Sequence, residues 1–93
     1  MLDTSRIIEL AEQAARKWIA VERVLVEPTV DSQGEEALRV TLVLDPQAVE
    51  RVTGDQALDV LVDINEALQN AGEERLPIIF YATEEELRAD AHA

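Results

Sequence analysis

The stretch VLVEPTVDSQGEEALRVTLVLD, Val24 to Asp45, decides how this 93-residue chain folds. On its first arm Val24, Val26, Pro28 and Val30 alternate with Leu25, Glu27 and Thr29. On its second arm Leu38, Val40, Leu42 and Leu44 alternate with Arg39, Thr41 and Val43. A period of two belongs to strands, whose successive side chains point to opposite faces. Between the arms lies Asp31-Ser32-Gln33-Gly34, with Asp at the first turn position and Gly where a positive φ is wanted. The stretch therefore predicts a β-hairpin with strands near residues 22–30 and 37–45. Proline has no N–H for a ladder, so Pro28 places the first strand at a sheet edge and the second in the centre.

The same stretch raises a chemical question, because Asp31, Glu35 and Glu36 surround Gly34. A calcium loop needs a ligand at its third position and a distant bidentate glutamate, and the spacing here supplies neither. The bend is the better reading. Gly34, Gly54 and Gly72 each stand alone, so there is no phosphate-cradling loop.

Outward from the hairpin, the chain reads as helices and one more strand. Residues 3–19 carry Ile7, Ala11, Ala14 and Trp18 at helical spacing, after the capping candidates Asp3, Thr4 and Ser5. Asp45-Pro46 ends the second strand and starts a short turn through Val52. Thr53 and Gln56 form a capping-box pattern that opens a main helix near residues 54–71. Ala57, Leu61, Ile64, Leu68 and Ala71 make its apolar stripe, flanked by Leu58 and Val60, and Gly72 suits its C-terminal cap. Residues 77–82 form a third strand, and Thr83 with Glu86 opens a short last helix anchored by Leu87.

A right-handed crossover makes the second and third strands parallel. The expected fold is α+β, of order α-β-β-α-β-α. It has a three-stranded mixed sheet of order 1-2-3 and the two long helices on one face. Residues 1–93 form one domain with a frayed tail.

Composition narrows the chemistry. There is no cysteine, which removes disulfides, thiolate metal sites and cysteine catalysis. The only histidine is His92, in the tail, and the only lysine is Lys17, on the polar side of the first helix. The start of the sequence lacks a signal-peptide pattern, and no apolar run reaches membrane-spanning length, so a cytoplasmic protein is expected. The formal net charge is -12, from 20 acidic and 8 basic residues. Such a surface repels nucleic acid and anionic membranes. No catalytic residue, metal or cofactor is assigned, and the inventory points away from an enzyme.

Two surfaces remain as binding candidates. The first is the outer sheet face, expected to show Leu25, Arg39, Val43, Ile79 and Tyr81 unless the last helix folds back over it. The second is an acidic stripe on and beyond the main helix: Asp59, Asp63, Glu66 and Glu73. Like charges four residues apart cost a helix about 0.2–0.5 kcal/mol per pair, so a stripe of them invites a docking role.

The element order resembles that of minimal nucleotidyltransferase domains, some of which act as antitoxins. The magnesium-binding Asp-x-Asp and Gly-Ser turn of that family have no counterpart here, since the second strand ends Leu42-Val43-Leu44-Asp45. No residue role is carried across. The expected function is a non-catalytic acidic protein-interaction module: an inhibitor, an antitoxin-like neutraliser or an adaptor. Its partner is another protein, a basic one among the options, or itself as a homodimer. The alternatives are a small carboxylate-based, Mg-dependent enzyme or ligand-binding domain, and a charge mimic of nucleic acid.

Overall fold

The computed structural model describes residues 2–91. In chain order the elements are α1 (Thr4–Ala15), β1 (Arg23–Val30), β2 (Glu36–Val43), α2 (Pro46–Arg51), α3 (Gly54–Asn70), β3 (Leu76–Ala82) and α4 (Glu84–Ala91). The sheet order is β1-β2-β3, with β1 antiparallel and β3 parallel to β2. This is the expected α+β topology. Ile7, Ala11 and Ala14 of α1 and Val60, Ile64 and Leu68 of α3 close over Val24, Leu38, Val40 and Leu42 of the sheet. The central strand β2 carries the core, so its alternation was the most informative in the chain.

Local chemistry sets each boundary. In the hairpin, Gly34 N–H donates to Asp31 O (3.0 Å) and Asp31 N–H to Glu35 O (2.9 Å). The Asp31 carboxylate accepts from the backbone N–H groups of Gln33 (2.8 Å) and Glu35 (3.0 Å). Gly34 has φ 81°, the left-handed residue of a type I turn with a following bulge. A Cβ there would meet nothing within 4 Å, so a substitution costs backbone strain alone. Gly34→Val is expected to destabilise by about 1–2 kcal/mol. In a domain of this size that is roughly 5–15 °C in a thermal melt, and an unchanged melt would refute the assigned turn.

Both capping boxes form. Thr53 and Gln56 exchange backbone-to-side-chain bonds of 3.1 Å at the start of α3. Thr83 and Glu86 do the same at 3.1 Å for α4. Helix α3 ends in a Schellman motif: Gly72, at φ 96°, donates to Gln69 O (3.0 Å) and Glu73 N–H donates to Leu68 O (2.9 Å).

Three expectations change, the simplest being that Leu61 of the expected α3 stripe and its neighbour Leu58 are exposed while Val60, Ile64 and Leu68 are buried. Helix α1 stops at Ala15 rather than Ile19, and Trp18 leaves the apolar stripe to sit 42% exposed. The chain must reverse there to bury Val21, and Arg16 Nη2 holds the reversal by donating to Val21 O (3.1 Å).

The third change concerns β3. Val40 pairs with Ile79 and Leu42 with Tyr81, so these side chains share the helix-covered face with β2's inner row. Ile79 and Tyr81 therefore do not belong to the outer face, which takes Ile78 and Phe80 instead. Residues 77–82 are apolar on both parities, and a one-residue shift exchanges the two faces. The loop after α3 settles the parity, through the Gly72 cap and the Glu73–Arg75 pair that precede Leu76. His92 and the end of the expected frayed tail lie outside the described residues.

Candidate functional site

The expected sheet-face site is only partly open. Val43 is 0% exposed and Thr41 is buried. At this end Arg23 donates Nε and Nη2 to the two carboxylate oxygens of Glu84, each at 2.8 Å, which ties the start of β1 to the first turn of α4. The Arg23 hydrogen bonds hold the Glu84 carboxyl below its usual range. Leu25 is half-buried and Arg39 exposed. The Arg39 guanidinium carbon lies 4.3 Å from the Phe80 ring centroid, a cation–π contact at the open end of the face.

The acidic stripe is not continuous. Glu66 is exposed and Asp59 half-buried, but Asp63 is already engaged. It accepts from Trp18 Nε1 (2.7 Å) and lies 3.8 Å from Lys17 Nζ, so it docks α3 onto the end of α1.

Glu73 is buried, with its residue 2% exposed. It accepts from Arg75 Nε (2.9 Å), Arg75 Nη2 (3.0 Å), Arg75 N–H (3.0 Å) and Leu2 N–H (3.1 Å). The Arg75 side chain lowers its pKa to about 2 against the opposing effect of burial, with help from the two backbone donors. This residue is a structural clamp between the N-terminal segment and the α3–β3 loop.

Exposed apolar side chains other than Trp18 and Val30 lie on α3 and β3. Leu58 (59% exposed), Leu61 and Val62 stand out from α3, and Leu76 and Phe80 (40% exposed) from β3. Between the two elements runs a groove of about 470 Å³, bordered by Leu58, Leu61, Pro77, Ile79 and Tyr81. Its base is an open strand edge, because β3 ends the sheet. The Tyr81 hydroxyl is buried without a hydrogen-bond partner, and burial raises its pKa.

The sequence contained a signal for this surface. Val60, Ile64 and Leu68 suffice to pack α3 on the sheet, yet Leu58, Leu61 and Val62 extend its apolar surface beyond that row.

Among the described residues, no group of three or more His, Cys, Asp or Glu is placed to hold a metal ion. No helix among them is long and apolar enough to cross a membrane. Comparison with family models, curated proteins and solved structures returned no match.

Proposed function

We propose that this chain is a non-catalytic protein-interaction module whose contact surface is the free β3 edge together with the apolar ridge of α3. One observation carries the reading: a chain of net charge -12 exposes Leu58 and Leu61 on a groove beside the free β3 edge, with Val62 exposed on the same helix and Phe80 on the other face of the strand. Contiguous apolar patches of this kind mark protein contacts more often than solvent-facing surface. An open strand edge adds directional backbone hydrogen bonding to the same place. The acidic stripe contributes less to this reading, since Asp63 and Glu73 spend their charge inside the fold. The remaining carboxylates keep the molecule soluble and turn away polyanions.

Capture from extracts of the native host tests this reading. The immobilised chain is expected to retain a protein in NaCl of about 0.5 M, where exposed charge contacts are largely screened. The double replacement Leu58→Glu, Leu61→Glu should lose that protein while keeping the fold, because both side chains are exposed. Retention that disappears with salt and ignores both replacements would overturn the reading.

A further inference from the structure

We propose that the occupant of the β3 edge is a second copy of this chain, paired antiparallel through β3 about a twofold axis at Phe80. The proposal rests on the interaction-module reading and names the partner of that same surface.

Backbone direction comes first. Ala82 accepts from Leu44 N–H (2.9 Å), so its polar groups point at β2. Alternation then turns Leu76, Ile78 and Phe80 the same way, and turns Pro77, Ile79 and Tyr81 out to the free edge. The edge therefore offers the N–H and C=O groups of Ile79 and Tyr81. Its two ends are closed to further pairing. Pro77 has no N–H, and the Thr83 N–H is already given to Glu86 Oε1 (3.1 Å).

Only one twofold register satisfies all of these groups. With the axis at Phe80, Ile79 of each copy faces Tyr81 of the other, and each such pair exchanges both backbone bonds. With the axis at Ile79, Tyr81 would face Pro77, and the Tyr81 carbonyl would find no donor. The Phe80 register also sets the two exposed rings side by side on the outer face.

The charge pattern favours a copy over a cationic partner. Along α3, Leu58, Leu61, Val62, Asn65 and Gln69 follow helical spacing without a charge among them. Strand β3, Leu76 to Ala82, has none either. In a molecule of net charge -12 this is where two copies can touch without setting carboxylate against carboxylate. A basic partner would find no counter-charge there.

The opposite edge is built differently. Strand β1 carries Arg23, Glu27 and Pro28, and charge and proline are the usual guards against edge pairing. The arrangement of Phe80 and Tyr81 points the same way. The plain aromatic ring faces solvent while the phenol faces the helices, the reverse of what each side chain alone prefers.

Sedimentation and a cross-link test the proposal together. The intact chain is expected to sediment at twice its 10.3 kDa mass. Its association should tighten as salt rises, because screening relieves repulsion between like-charged copies, whereas binding to a basic protein would weaken.

The chain has no cysteine, so Phe80→Cys introduces a thiol that can pair only with another copy. Facing residues in the non-hydrogen-bonded position have Cα atoms about 4.5 Å apart, within disulfide range. Mild oxidation should convert Phe80→Cys to a covalent dimer. Val30→Cys, exposed on β1, should form little covalent dimer under the same oxidation.

A wild-type chain that stays monomeric at millimolar concentration overturns the proposal. So does a dimer that Val30→Cys traps and Phe80→Cys does not. Neither result touches the module reading, which asks only whether a protein, this chain or another, is held through Leu58 and Leu61 and lost in the double variant.

Discussion

Val43→Asp is expected to abolish folding rather than block a contact. By alternation alone Val43 is an outward-facing residue of a binding face, where an aspartate would be tolerated. In the structure it is 0% exposed, at the end of the sheet where Arg23 meets Glu84 of α4. The substitution removes the packing of a buried valine, worth roughly 2 kcal/mol. It also places a carboxylate at a fully buried position, where the facing Arg23 is already held by Glu84. An unpaired buried charge costs several kcal/mol even after relaxation. Together these reach about 5 kcal/mol or more, the whole stability of many domains of this size. Circular dichroism should show a largely unfolded chain at room temperature. Val43→Ala should stay folded with a lowered melting point. A cooperative native melt for Val43→Asp would show that Val43 is not buried in the folded chain.

The contrast with Phe80 shows where the sequence was legible. In β2 and the hairpin, Glu27, Thr29, Arg39 and Thr41 interrupt the apolar row at alternate positions, Leu25 and Val43 being the exceptions, and the pattern admits one register. Glycines and capping pairs then punctuate the rest: Thr53 with Gln56, Gly72, and Thr83 with Glu86 all do what their chemistry indicates. In β3 the alternation is silent, because Ile78, Ile79, Phe80 and Tyr81 are all apolar or aromatic. Face assignment there depends on a loop five residues long, 71–75, whose geometry follows from a buried ion pair. A sequence presents Glu73 as one more carboxylate in an acidic run; only burial separates it from Glu74, which is exposed. The candidate surface was half-visible for the same reason. The excess of leucine on α3 could be counted, but its adjacency to the β3 edge could not.

That ion pair carries the remaining large effect. Glu73→Ala should destabilise the protein by about 3 kcal/mol, the lower end of the range for breaking a buried pair, because Arg75 at 12% side-chain exposure can still reach water. For a domain of this length the melting temperature should fall by roughly 12–24 °C.

The pH dependence follows from the direction of the shift. The folded carboxyl titrates near 2, below its ordinary value of 4.5. The unfolded chain therefore takes up this proton first as pH falls, and acid favours unfolding. The Glu73 contribution is complete above the unfolded value, declines below about pH 5 and is lost by about pH 2. Melts of wild type and Glu73→Gln should differ most at neutral pH and converge in acid. A gap that stays constant from neutral pH down to about 2.5 would mean that the Glu73 charge is not held by Arg75 in the folded chain.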